Sequence, residues 1–129
     1  MNMFIAERFD DIEARLIANP AVTAYQVLRR EIAPSDGKLR VKVVLSDGGA
    51  AELFEYVTEA GGKVAVRKYS FHWQDAQGNL VRRWDNAPHH KELAGAPHHS
   101  HAADGTVQAM AGAMDMLKAI EEIEKGVSG

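Results

Sequence analysis

Five of the chain's six histidines, His89, His90, His98, His99 and His101, fall within thirteen residues, and the sixth, His72, stands upstream among aromatics. Histidine is the one side chain whose ordinary pKa lies between pH 5 and 8, and its neutral ring is a common metal ligand. The run follows a dense segment, Arg82-Arg83-Trp84-Asp85-Asn86, and the tetrapeptide Ala-Pro-His-His occurs twice, at 87–90 and 96–99. Core packing does not call for so many imidazoles between prolines. Imidazoles beside guanidinium groups and a carboxylate are the parts of a site.

Three chemistries compete for these residues. As acid and base, two imidazoles cleave RNA without a metal. One takes the proton of a ribose 2′-hydroxyl, the other protonates the leaving 5′-oxygen, and an Arg or Lys holds the phosphate as charge builds. His72, His89 and His98 or His99 then do the proton transfers, and Arg83 binds the phosphate. Asp85, four residues before His89, orients an imidazole and fixes its tautomer. Tyr69, Trp73, Arg82, Asn86, Lys91, His90 and His101 make up the substrate-binding surround. As metal ligands, His99 and His101 at i, i+2 point the same way from an extended segment. His89 or Asp85 would complete a zinc or manganese site, although no standard zinc spacing is matched. In the third reading the segment is structural: Asp85 and Asn86 start a turn before Pro88 through bonds to the backbone, and the imidazoles pin the loop or answer pH. The expectation carried forward is the first, a metal-independent ribonuclease without a cofactor.

These residues need elements to hold them. Residues 4–18 predict an amphipathic helix, with Ile5, Phe9, Ile12, Leu16 and Ile17 at three- and four-residue steps and Asn19-Pro20 as the stop. Five strands follow, at about 22–32, 38–46, 51–59, 63–73 and 80–86. In 38–46, Leu39, Val41, Val43 and Leu45 alternate with Lys38, Arg40 and Lys42, the period of a half-buried strand. Gly61-Gly62 suits the positive φ angles of a two-residue hairpin. Within 63–73, Tyr69, Phe71 and Trp73 share one face and Lys68, Ser70 and His72 the other. Val64 and Val66 are out of phase with the aromatics, which predicts a bulge at Arg67-Lys68. Arg83 and Asp85 share a face, opposite Arg82, Trp84 and Asn86. A histidine-rich loop occupies 87–104. A second helix over about 105–125 has Asp104 or Thr106 as its cap, an apolar stripe of Val107, Met110, Met114, Leu117 and Ile120, and Gly126 as its end. Short turns between strands imply an antiparallel meander. The expectation is one α+β domain over 1–129: a five-stranded curved antiparallel meander sheet with an N-terminal and a C-terminal helix packed on one face.

The chain has no cysteine, which removes disulfides, thiolate metal sites and thiol nucleophiles. No apolar run approaches the roughly 20 residues that span a bilayer, so a soluble cytoplasmic protein without membrane contact is expected. The net charge of −3 is unevenly spread: residues 1–62 hold 7 Lys/Arg against 10 Asp/Glu, 63–91 hold 6 against 2, and 92–129 hold 2 against 6. The basic third leads into the histidines. A locally positive site on an acidic body suits a phosphate-bearing substrate.

The Tyr-Ser-x-His-Trp strand at 69–73, the Arg-Trp-Asp-Asn-Ala-Pro-His-His turn at 83–90 and the Pro-His-His-x-His run at 97–101 resemble the TumE-type toxin family of prokaryotic toxin–antitoxin systems. The family pattern falls on Tyr69, His72, Trp73, Arg83, Trp84, Asp85, Asn86, His89, His90, His98, His99 and His101. The resemblance implies a bacterial or archaeal toxin neutralised by a cognate antitoxin protein that carries a helix-turn-helix, and it leaves a homodimer open. Toxins of this broad kind mostly cut or modify RNA, so RNA as substrate follows by analogy. The runner-up of another class is a non-catalytic protein-binding module.

Overall fold

The computed structural model describes residues 1–86, 99–109 and 113–128. Helix α1, Met3–Ala18, is opened by Asn2, whose Oδ1 accepts the Ile5 backbone N–H at 3.1 Å. It buries Ile5, Phe9, Ile12 and Leu16. Ile17, expected on that stripe, is 73% exposed, because it lies one residue round from the buried seam. Seven antiparallel strands follow among the described residues: β1 Val22–Ile32, β2 Asp36–Leu45, β3 Ala50–Ala60, β4 Lys63–Gln74, β5 Leu80–Asp85, β6 His99–Ala102 and β7 Val107–Ala109. They lie in the sheet in chain order, so each strand pairs with the one before it. Helix α2, Met116–Ser128, closes the chain.

Both helices pack on one face, as the alternation predicted. The core joins Ile5, Phe9, Ile12 and Leu16 of α1 to Leu39, Val41 and Val43 of β2, Leu53 of β3 and Tyr69, Phe71 and Trp73 of β4. Met116, Ala119, Ile120 and Ile123 of α2 complete it, at the helical steps that put them on one stripe. One ion pair lies inside this layer: Arg8 of α1 forks onto Glu55 of β3, at 2.8 and 3.0 Å, and the Glu55 side chain is fully buried. Burial works against the Arg8 charge, but the bond to Glu55 and its negative charge outweigh that and raise the Arg8 pKa. Gly61 and Gly62 take φ values of 59° and 82° and close the β3–β4 hairpin as expected. The expected bulge is present too: Lys68 faces Tyr56 and Val66 faces Val57, leaving Arg67 without a partner across the ladder.

The strand count and the second helix are corrected. The sheet has seven strands rather than five, because β6 and β7 occupy the end of the expected loop and the start of the expected helix. Asp104 and Thr106, expected to cap that helix, turn the β6–β7 hairpin instead. Asp104 Oδ1 accepts the Thr106 N–H at 2.9 Å and its hydroxyl at 2.6 Å, and Gly105 takes φ 87°. The same residue types serve helix caps and turns, since both need a short side chain that accepts from the backbone. The helix starts at Met116, with Asp115 accepting the Lys118 N–H at 2.8 Å. Val107 therefore belongs to β7, and Gly126 lies inside α2 against Trp73 rather than ending it. Met110 lies outside the described residues.

Candidate active site

The face of the sheet without helices is a polar surface, and its side chains are brought together by register. Alternation puts Ser70, His72 and Gln74 of β4 there, opposite the buried Tyr69, Phe71 and Trp73. Across the strands, Lys42, Glu52, His72, Arg83 and His101 are successive partners in one row. Arg40, Phe54, Ser70, Asp85 and the backbone of His99 form the adjacent row. Directly opposed side chains on a sheet stand about 5 Å apart at Cβ, so each row is a line of neighbours. Between them lies a depression of about 450 Å³ walled by Arg40, Lys42, Glu52, Ser70, His72 and Arg83.

Arg83 is the hub. Its Nε donates to Asp85 Oδ2 at 3.1 Å and an Nη2 to Ser70 Oγ at 3.1 Å. Asp85, whose side chain is only 3% exposed, also lies with Oδ2 3.3 Å from Nε2 of His101. One carboxylate thus bonds a guanidinium and lies beside an imidazole on the same face. Arg40 is held across the depression, donating to Glu52 at 2.8 Å.

The charge is lopsided. On β2–β5 this face carries Lys38, Arg40 and Lys42 of β2, Arg67 and Lys68 at the bulge, and Arg83. The carboxylates set against them are Asp36, Glu52 and Asp85. Six cations against three carboxylates is an excess of three, on a chain whose net charge is −3. A concave cationic surface on an acidic body attracts polyanions.

The sequence-predicted residues separate into three groups. His72, Arg83, Asp85 and His101 are brought together on the open face. Tyr69, Trp73 and Arg82, expected to bind substrate, are placed away from that group. They point to the helix face, where Tyr69 is 3% and Trp73 9% exposed and the Arg82 guanidinium lies 6.0 Å over Trp84. Burial pushes the Tyr69 phenol pKa up; the bond it accepts from the Met114 N–H lowers it, and the Asp85 charge raises it. Asn86 is engaged at both ends of its amide, accepting from Tyr69 N at 3.0 Å and donating to Arg67 O at 2.9 Å, which pins the bulge. His89, His90, Lys91 and His98 lie outside the described residues, and of His99 only the backbone is described. With them goes the alternative metal set of His89, His99 and His101. Among the described residues no three His, Asp or Glu side chains gather as a metal site. The sequence reading missed Ser70, Glu52, Arg40, Lys42 and Phe54. The alternation of β2 had put Arg40 and Lys42 on a polar face, and only cross-strand register joins that face to His72.

The fold and site define a small α+β protein that hides one sheet face under helices and leaves the other as an open cationic surface. The family model described as Toxin TumE matches residues 12–128, and the chain belongs to that family. Membership makes it a toxin-family protein with a cognate antitoxin as partner. No curated protein and no solved structure matches the chain. Among the described residues no helix is long and apolar enough to cross a membrane.

Proposed function

We propose that this toxin is a metal-independent endoribonuclease and that the open face around Arg83 is its active site. The observation that carries the reading is the row His72, Arg83, His101: two imidazoles flank one guanidinium, and Asp85 bonds the guanidinium and lies 3.3 Å from one imidazole. His72 and His101 are two strands apart, about 10 Å, which leaves room for a phosphodiester between them. Arg83 neutralises the phosphate. One imidazole takes the proton of the 2′-hydroxyl, and that oxygen bonds to phosphorus. The bond to the 5′-oxygen breaks, the other imidazole protonates the leaving oxygen, and a 2′,3′-cyclic phosphate remains. Asp85 places its negative charge 3.3 Å from Nε2 of His101. In this reading the cognate antitoxin is a helix-turn-helix protein.

The test is purified, EDTA-treated protein incubated with total RNA at pH 6–7, followed by end analysis for cyclic phosphate. Cleavage that falls 10²- to 10⁴-fold on the order expected for a lost proton-transfer group in His72→Ala and His101→Ala, with the fold retained, supports the reading. RNA left intact until zinc or manganese is added would replace it with a metal-dependent nuclease. Toxicity unchanged by both substitutions would replace it with a non-catalytic binding protein.

A further inference from the structure

Two aromatic rings on the open face stand outside the hydrophobic core. Phe54 and Tyr56, at i, i+2 on β3, are half-buried on the helix-free side and belong to no part of the hydrophobic core. Their cross-strand neighbours are cations and a hydroxyl: Arg40 and Ser70 oppose Phe54, and Lys38 and Lys68 oppose Tyr56. The Arg40 guanidinium lies 4.5 Å over the Phe54 ring, and the Lys38 ammonium 5.8 Å over Tyr56. Tyr56 is fixed further by donating its hydroxyl to Asp36 at 2.8 Å. A depression of about 470 Å³ lies against these two rings and Lys68.

We infer that this face is a track for single-stranded RNA, on which Phe54 and Tyr56 stack the bases beside the scissile bond. The inference rests on the ribonuclease reading and adds the substrate class, an unpaired strand. Aromatic rings beside cations are how proteins hold unpaired nucleic acid: rings and guanidinium planes take the bases, and Lys and Arg take the backbone. The spacing selects the form. Side chains at i, i+2 on a strand stand about 7 Å apart, roughly twice the 3.4 Å between stacked bases along one strand. Bases reaching both rings must be unstacked, which a duplex does not permit. The track also leads to the chemistry. Phe54 is the diagonal neighbour of His72, about 7–8 Å away, so a base on Phe54 delivers its phosphate to the row of His72 and Arg83.

The probe is a fluorescent 2′-O-methyl oligoribonucleotide of mixed sequence, which lacks the hydroxyl that cleavage needs. Binding by the full chain is followed by anisotropy, alongside cleavage of unmodified RNA. The single strand binds and its pre-annealed duplex binds at least about 10-fold more weakly. Phe54→Leu and Tyr56→Leu keep apolar bulk but lose the π-face, and each weakens binding on the order of 10-fold. Both raise KM for cleavage and spare kcat. Lys68→Ala lowers the salt dependence of binding. If the unaltered chain cleaves RNA but both Leu variants bind and cleave as it does, the track is wrong and the ribonuclease reading stands. If the duplex binds as tightly as the single strand, the track is likewise wrong. If the unaltered chain neither binds nor cleaves, the ribonuclease reading falls and takes the track with it.

Discussion

From Tyr69 to Gln74 the two faces of β4 differ at every residue and are governed by opposite physics. On the helix side Tyr69, Phe71 and Trp73 are buried, with the Tyr69 and Phe71 rings stacked 5.1 Å apart. On the open side Ser70, His72 and Gln74 are half-exposed between cations. Fully burying one large apolar side chain contributes roughly 1.5–3 kcal/mol, and a half-exposed polar one contributes little. Stability therefore resides on one face, and the proposed chemistry is assigned to the other. A register slip of one residue would exchange them, and the Arg67 bulge, pinned by Asn86, is what brings the aromatics into phase with the core. A protein built this way can alter its open face without losing its fold.

That separation can be broken at adjacent residues. His72→Ala is expected to lower RNA cleavage by about 10²- to 10⁴-fold and to change unfolding free energy by less than about 1 kcal/mol. Phe71→Ala, one residue away, is expected to cost about 3–5 kcal/mol, seen as a lower urea midpoint, and whatever remains folded keeps its turnover. The two are measured together by single-turnover cleavage and equilibrium unfolding. Equal destabilisation by both would end the division of labour between the faces.

The helix face holds a fully buried charge among its apolar side chains, in the Arg8–Glu55 pair. Arg8→Ala leaves a fully buried carboxylate without its cation, and breaking a buried pair in this way costs about 3–5 kcal/mol. Replacing both partners, Arg8→Met with Glu55→Leu, is expected to recover most of that loss or to exceed the original stability. A urea series on the single and double variants decides it. A double variant as unstable as Arg8→Ala would mean that the pair is more than an electrostatic substitute for apolar packing.

Much of this division was legible in the chain. The alternation of Leu39, Val41, Val43 and Leu45 with Lys38, Arg40 and Lys42 set the faces of β2, and the phase clash between Val66 and Tyr69 located the bulge. The phase of 63–73 also separated His72 from Tyr69 and Trp73. Which phase the helices would cover is a tertiary matter, and for that reason Tyr69 and Trp73 were expected at the substrate. β7 escaped because three residues, Val107–Ala109, carry no period, and because Asp104 and Thr106 suit a cap and a turn equally. Ser70 shares a face with His72 by alternation alone, but Glu52 and Phe54 escaped because their link to His72 runs through the β3–β4 register, which the local pattern of either strand does not contain.

The smallest expected effect concerns how the helix face is fastened. Asn2 caps α1 and also donates to Pro34 O and to Glu59, at the end of the β3–β4 hairpin. The Gly62 N–H and Asn2 together hold the Glu59 carboxyl below its ordinary value of 4.5. A carboxyl whose pKa is lowered by folding stabilises the native state above its unfolded pKa, and the contribution is lost as pH falls through the lower folded value. Glu59→Gln keeps the shape but not the charge-assisted bonds. The variant is therefore expected to be slightly less stable than the unaltered protein at pH 7. The gap should narrow below about pH 4.5 and close in stronger acid, followed by thermal unfolding across pH 2–7. A constant gap would mean that Glu59 acts through packing, and that the joint between α1 and the hairpin is insensitive to charge.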